Sequence, residues 1–513
     1  MTIGLNDKYL RLWHEVNFKK ISLYYDDIKK IDIKKNYWIP YSKGGLRVNW
    51  YGGYDYIVNW AENGNFNRSK TTMKDLYLKK AITWPFISGD NITAKILPKG
   101  FLWDVSGSPC FFDDKIFNYV LALLVSKVSD IFVKAQNPTN NVQSNDIACI
   151  PFRYNMNISF EINNMVEECI RISKNNWDMK EISWDFKINP LLQIRSSRIN
   201  DVFSEFNRKV LSNSALLAEN EKRINELLIK EYDLGDDANS FNNSVELIAI
   251  KVDVVIKDFL SYLVGVIMGR YSLEHEGLIY AGGEFDKSKY GDYVDDDGII
   301  PLYEYVGIED SLTTGICNLV KRIYGDTYYK ENLDFIANAL DRKPTEGAEE
   351  AINRYLNDSF YNDHLKTYQK RPIYWMLSSG KPGAFKCLIY LHRYTKNTLA
   401  IINSKYFLPR TAMYKAERER LEEKLKLAEL RDKKNIEKEL TRIEACEQEL
   451  LEYGQVLDHV ANMCLNDEIT IDLDDGVKVN YVKFQNQTLE INGATIKKNL
   501  LVPFGLESEK KKK

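Results

Sequence analysis

Between residues 37 and 152, short runs of β-prone residues alternate with Gly, Pro, Asn and Asp, as in "YWIPYSKGGLRVNWYGGYDYIVNW" and "ITWPFISGDNITAKILPKGFLWDVSGSPCFF". This punctuation predicts an α/β or mainly β region with many turns. One helix interrupts it, "KIFNYVLALLVSKVSDIFVKAQ", where Leu121, Leu124, Val125, Val128 and Phe132 make a single apolar stripe. The helix ends just before Asn137. The run Ile147 to Phe152, "IACIPF", then predicts a buried strand.

Beyond Ile199 the period changes. "INDVFSEFNRKVLSNSALLAENEKRINELLIKEYDL" reads as one helix in a charged background, and "GDDANSFNN" breaks it. Residues 244–407 mix apolar helices with turns. From Thr411 to Met463 the composition is Ala, Glu, Lys, Leu and Arg, and Ile436, Ile443, Leu450 and Leu457 recur every seven residues with Leu440 and Ala461 between them. Tyr414, Leu421 and Ala428 keep the same step in an offset register, so a break at "RDKKN" would give an antiparallel helical hairpin, with a continuous rod as the alternative. The last stretch alternates as a small cap would, and "EKKKK" is a solvated tail.

The expected class is therefore α+β. The expected organisation is an N-terminal linker or helix over 1–36, a Gly- and aromatic-rich α/β domain over 37–172 and a connector over 173–197. A helical spacer over 198–243, a mainly helical domain over 244–407, coiled-coil helices over 408–466 and a cap with a basic tail over 467–513 follow.

A chain of 513 residues is long for one domain. Its formal net charge of -3 rules out a uniformly basic nucleic-acid binder but leaves room for a local basic face. Seven cysteines without a CxxC pair suggest neither a disulfide framework nor a zinc ribbon, and reduced thiols in the cytoplasm are expected. No run of 18 uncharged apolar residues and no signal-peptide core is present, so the expectation is a cytoplasmic protein without a membrane partner.

"QNPTNNVQSNDIACIPF" raises a chemical question, because adenine methyltransferases hold the target amino group with an Asn/Asp-Pro-Pro-aromatic turn. Here Thr139 and Asn140 replace the second Pro and the aromatic, and Asn137 follows a helix rather than a strand. Asn-Pro is also an ordinary helix stop. The stretch is expected to be a structural or recognition turn. No phosphate loop, Walker lysine or HExxH occurs, and the five histidines stand apart without Cys or Asp at ligand spacing. His392 reads as packed and hydrogen-bonded. The acidic "DYVDDDGIIP" lacks EF-hand spacing and reads as a solvated loop. A chain without assembled nucleophile, metal or cofactor motif is not expected to be a complete enzyme alone.

A recognition surface remains. "YSKGGLRVNWYGGY" sets Lys43 and Arg47 among Gly44 and Gly45, with Trp50 and Tyr51 close by; Arg68, Lys70 and Lys99 add charge, and Asn137, Thr139 and Asn141 add amides and a hydroxyl. Glycines admit close backbone approach to phosphates, Lys and Arg pair with phosphates or guanine edges, and aromatics pack on sugars. Trp60, Trp84 and Trp103 read as core.

Several stretches, in order along nearly the whole chain, resemble the PglX family of adenine-specific DNA methyltransferases from BREX phage-resistance systems: "GLNDKYLRLWHEV", "YSKGGLRVNWYGG", "ITWPFIS", "NPTNNVQSNDIACIPF", "ISWDFKINPLL", "SYLVGVIMGRYSLEHEGLIYAGG", "DHLKTYQKRPIYWMLSSGKPGAFKCLIYLHRY" and "IDLDDGVKVNYVKF". The Asn-Thr turn and the Ile-x-x-Ile-Pro that follows are also similar to the end of target-recognition domains in type I and type IIG restriction-modification proteins. The resemblance implies a target-recognition domain at residues 37–172 that reads double-stranded DNA. In the family an upstream domain carries the S-adenosylmethionine loop and the Asn-Pro-Pro-Tyr turn, and no position here matches either. The implied cofactor, S-adenosylmethionine, thus belongs to the complete family enzyme. A separate methyltransferase chain or other BREX proteins are the implied partners. The alternatives are an interaction protein that binds BREX components without methyl transfer, and an enzyme with an unrecognised site in residues 244–407.

Overall fold

The computed structural model describes residues 6–62, 71–89, 91–235, 250–303, 311–381, 383–491 and 494–504. Arg68, Lys70 and the terminal lysines lie outside them. The chain divides into two units. Unit 1 holds residues up to Trp13, Phe18–Arg195 and Asn200–Lys251; unit 2 holds His14–Asn17, Ser196–Ile199 and the chain from Val252 onward. Helices dominate, with small separate sheets, as the α+β class requires.

Unit 1 opens with a helical turn, α1 (Asn6–Tyr9), and β1 (Leu10–Leu12). The strands β2 (Trp38–Ser42), β3 (Tyr56–Asn59), β4 (Ala81–Thr83), β5 (Lys95–Leu97), β6 (Leu102–Trp103) and β7 (Pro109–Cys110) follow. One sheet has the order β1-β3-β2-β6, and a second has the order β5-β4-β7. All five residues of β2 are buried, so this strand is covered on both faces, and its first four residues, Trp38 to Tyr41, are apolar or aromatic. β2 and β6 are parallel, with Tyr41 opposite Leu102 and Ser42 opposite Trp103. Their carboxyl ends therefore emerge side by side.

The helices of unit 1 are α2 (Asp114–Val125), α3 (Lys127–Gln136), α4 (Ser144–Ala148), α5 (Met156–Asp178) and α6 (Ile199–Glu231), the last belonging to unit 1 from its second residue. Their apolar faces join Trp50, Ile82, Trp84 and Ile92 in one core. A smaller core lies around Ile39, Tyr41, Val58, Trp60 and Leu102.

Two local expectations are corrected here. The single helix over residues 115–136 is two helices bent by 68° at Ser126. Ser126 is extended, its N–H reaches the Ala122 and Leu123 carbonyls, and the Lys127 N–H donates to the Asn225 side chain of α6 (2.8 Å). The apolar stripe continues unbroken across the bend, so periodicity does not reveal it. The "IACIPF" run is not a strand. It is the end of α4 and a turn, with Ile147 and Ile150 buried and Phe152 exposed. A capping box decides this: the Asp146 carboxylate accepts the Gln143 N–H (2.8 Å), which starts a helix three residues before the apolar run.

Residues 173–195 fold within unit 1. α5 runs through residue 173, and Trp177, Phe186 and Leu191 are buried.

Unit 2 contains α7 (Val252–Met268), β8 (Ile299–Pro301), α8 (Leu312–Tyr324), α9 (Tyr329–Ala339), α10 (Ala348–Asp358) and α11 (Phe360–Thr367). Strands β9 (Tyr374–Ser378) and β10 (Lys386–Tyr390) complete an antiparallel sheet of order β8-β10-β9. α12 (Thr398–Ile401) leads to the long pair α13 (Leu408–Leu427) and α14 (Leu430–Leu465), after which come α15 (Gly476–Val482) and the hairpin β11 (Gln487–Ile491) with β12 (Ala494–Lys498). The long helices form a hairpin, and its break falls at Ala428–Glu429, just before "RDKKN". Arg418 of α13 pairs with Glu447 of α14 (2.9 Å), and Tyr414, Leu421, Ile443, Leu450 and Leu457 are buried. Among the described residues no single helix is long and apolar enough to cross a membrane.

Candidate nucleic-acid interface

The loop that leaves β2, residues 43–47, is built on glycine. Gly44 and Gly45 have φ of +73° and +108°, a region that side chains rarely adopt. A β-carbon on Gly44 would overlap the Ser106 carbonyl oxygen, so this loop lies directly against the loop that leaves the parallel strand β6. The Asp104 N–H donates to the Ser42 carbonyl (2.9 Å) and fixes the pair. A third loop joins them: the Phe86 N–H donates to the same Ser106 carbonyl (3.0 Å), and the Arg47 guanidinium lies over Gly89. The turn after α3 is the fourth member. Ile87 bridges Asn141, the Ser88 N–H donates to Asn140 (2.9 Å), and the Val142 N–H donates to Phe86 (2.8 Å). Lys43, Gly44, Gly45, Arg47, Thr139 and Asn141 thus meet on one edge of unit 1.

Their side chains differ in what they leave available. Arg47 is exposed, and among the described residues no hydrogen bond or ion pair engages its guanidinium. Lys43 is half-buried, with its ammonium 4.7 Å from the Tyr56 ring centre. The Asn137 amide is consumed by its own turn. It donates to the Asn141 carbonyl and to Asp146 (both 2.9 Å), and it accepts from the Thr139 N–H (3.1 Å) and hydroxyl (2.7 Å). Asn137 shapes the turn, while Thr139 and Asn141 present its exposed side.

Three sequence candidates are not at this edge. Trp50 is 1% exposed and belongs to the core, with its indole N–H on Glu221. Tyr51 is half-buried against Tyr54 and beneath the Lys174 ammonium, and burial pushes its hydroxyl up to about 12. Lys99 is exposed, but it enters β6 at the end opposite the loop cluster, and its neighbour Gly100 packs on Tyr24. Trp60 and Trp84 are buried, and Trp103 is half-buried.

Beneath the edge lies a residue the sequence reading missed. Lys95 of β5 is buried, with its ammonium on the Gly52 carbonyl and 4.8 Å from the Tyr54 ring centre. Burial pulls it down to about 8. It holds the "YGGY" turn from below. The sequence shows only a Lys in a short β-prone run, with no mark of burial.

Unit 2 holds a cleft of about 870 Å³ beside the acidic loop. The loop keeps Asp292 and Asp296 in solvent, as a solvated loop should, and its carboxylates are also paired. Asp292 pairs with Arg322, Asp296 with Lys287, and Asp297 with Lys405 (2.8 Å). The Asp295 carboxylate accepts the Asp297 (3.1 Å) and Ile299 (3.2 Å) N–H groups, and burial beside Asp297 pushes it up to about 6. The charges on this wall are spent on one another. His14, His364 and His392 are buried, and His392 does hydrogen-bond, to the Val16 carbonyl (3.2 Å). Among the described residues no group of three or more His, Cys, Asp or Glu is placed to hold a metal ion. All seven cysteines are free thiols.

No family model matches the chain. The class of protein that this chain is similar to is the adenine-specific methyltransferases. In particular, 512 residues, 95% of the chain, are 34% identical to the adenine-specific methyltransferase PglX of Lacticaseibacillus casei (strain Zhang). Over 96% of its length the chain is also 34% identical to the adenine-specific methyltransferase BrxX of Escherichia coli O9:H4 (strain HS). The chain spans 42% and 43% of the length of these relatives.

Proposed function

We propose that this chain supplies sequence recognition of double-stranded DNA to a PglX-type adenine-N6 methyltransferase in BREX phage defence. The observation that carries the reading is the convergence of four loops at one edge of unit 1. This puts the exposed Arg47 beside Lys43, Gly45 and the exposed Thr139–Asn141 turn. A guanidinium without a hydrogen bond or ion pair among the described residues is suited to a bidentate contact with guanine O6 and N7, and the ammonium and glycine backbone are suited to phosphates. The similarity to two adenine-specific methyltransferases supports DNA as the molecule read. S-adenosylmethionine and the methyl-transfer step belong, in this reading, to a methyltransferase domain or chain that acts with these residues.

The direct experiment is selection from a randomised duplex pool with the 513-residue chain. Enrichment of one short asymmetric motif containing adenine is expected. Recovery of an unenriched pool contradicts the proposal.

A second reading, an interaction protein for other BREX components, draws on Met156 and Phe160. They stand four apart on α5 and are 78% and 74% exposed. Capture of those components without any duplex affinity favours it over the first.

A further inference from the structure

The tips of three of the four loops carry large aliphatic side chains in solvent: Leu46 is 51% exposed, Ile87 58% and Val105 69%. A single exposed apolar residue means little. These three share one anchor point. Ile87 and Val105 each stand one residue from the Phe86–Ser106 hydrogen bond (3.0 Å), and Leu46 stands two residues from Gly44, which abuts the same Ser106 carbonyl. Arg47 follows Leu46 and lies over Gly89, two residues beyond Ile87. The apolar tips and the exposed guanidinium therefore form one surface.

The tips are also held. The Asp104 carboxylate accepts the Val105 N–H (2.6 Å), the Ser108 hydroxyl donates to the Val105 carbonyl (2.9 Å), and the Thr83 hydroxyl donates to Gly107 (3.0 Å). Ile87 is paired to Asn141. The Leu46 side chain rests on Gly53, whose β-carbon position lies 3.2 Å from its Cδ2, so all three tips keep set positions with half or more of each residue in solvent.

From this arrangement we infer that Leu46, Ile87 and Val105 form an apolar wedge that opens a base step in the duplex whose phosphates and base edges meet Lys43 and Arg47. The inference rests on the DNA reading above and names how that site engages its partner. Apolar side chains inserted at a base step replace the lost stacking with their own contact, and a neighbouring Arg holds the backbone while the step opens. The duplex suits both halves of the surface, because it has an apolar base stack behind a rail of negative charge, and the similarity to adenine-specific methyltransferases favours it as the occupant.

A wedge makes a definite prediction about substrates whose stacking is already broken. The test uses the full chain, a 25-base-pair duplex with one central abasic site, and the intact duplex of the same sequence. Wild type is expected to bind the abasic duplex at least about tenfold more tightly, since the missing base removes part of the few-kcal/mol cost of opening a step and 1.4 kcal/mol is a factor of ten. With Leu46→Ser, Ile87→Ser and Val105→Ser combined, the preference should vanish, because the abasic duplex loses about tenfold more affinity than the intact one. Ile87→Leu should keep the preference. Equal affinity of wild type for both duplexes, or an unchanged preference in the triple variant, overturns the wedge alone. Binding to neither duplex overturns the DNA reading as well.

Discussion

The indole N–H of Trp50 donates to the carboxylate of Glu221 at 2.7 Å, across 171 positions of sequence. Trp50 is buried and sits at φ +68°, a region rare for a large side chain. Backbone bonds hold it on both sides: its N–H reaches Ala94 and its carbonyl accepts from Ile96 (both 3.0 Å). Helix α6 thereby fixes the base of the Gly-rich segment whose tip carries Arg47. Glu221→Leu leaves the indole N–H without a partner and should lower stability by about 1–3 kcal/mol in denaturant unfolding. Glu221→Gln, which still offers an acceptor, should cost much less. Equal loss in both variants would mean that the hydrogen bond is not what holds Trp50.

Lys95 predicts an alkaline signature. Its folded value of about 8 lies below the ordinary 10.5, so the unfolded chain binds more protons between these limits. Stability of wild type relative to Lys95→Met should therefore rise with pH from about 8 upward, by up to about 1.4 kcal/mol per pH unit, and be flat below 8. Urea unfolding of both proteins from pH 7 to pH 10 measures this. A difference that stays constant across the range contradicts the buried placement of Lys95.

The buried histidines of unit 2 predict acid lability. Burial, with the Arg270 guanidinium near, draws His364 and His392 down to about 3 and His14 well below 6.5. All three stay neutral in the folded state, whereas the unfolded chain takes up their protons near pH 6.5. Stability from this source is complete above pH 6.5 and is lost as pH falls below it. Between pH 6 and 5 these three sites should each contribute up to about one proton to the fall in unfolding free energy, about 1.4 kcal/mol per pH unit for each, offset in part by Asp295, which takes up its proton in the folded state near pH 6. His392→Asn should reduce the slope by about one proton. An unchanged slope would place His392 in contact with solvent.

The chain should show no saturable uptake of S-adenosylmethionine by calorimetry. The sequence contains neither a Gly-rich cofactor turn after a strand nor an Asn/Asp-Pro-Pro-aromatic turn. Micromolar, saturable binding would move the methyl-transfer site into these residues.

Much of the architecture can be read from local patterns. The helix over 199–231 and the hairpin of α13 and α14 follow their apolar periods because each is stabilised along its own length. The bend at Ser126 cannot be read this way, since its partner Asn225 is 98 residues distant. Trp50 misleads for the same reason. Among glycines and charges it looks like a surface aromatic until α6 arrives to cover it. The "IACIPF" run was legible in part, through the Gln143–Asp146 box, but the apolar run after it carries the stronger local signal. At the candidate interface Lys43, Arg47, Thr139 and Asn141 share one edge because backbone contacts among residues 42–47, 86–89, 104–106 and 140–142 bring their loops together. Lys99 does not, because strand direction rather than composition decides to which end of β6 it falls. Leu46, Ile87 and Val105 escape any composition-based search, for as isolated aliphatic residues they read as core.

The edge carrying Lys43 and Arg47 is the surface proposed to read DNA. Fluorescence anisotropy on the duplex enriched from the randomised pool and on its scrambled counterpart, across a salt series, tests it most directly. Lys43→Ala should weaken binding to both duplexes alike and lower the salt slope by about one. Arg47→Ala should cost about 1–3 kcal/mol on the enriched duplex and relax preference at one base pair. If both variants match wild type on both duplexes at every salt concentration, this edge is not the reading surface and the account is wrong.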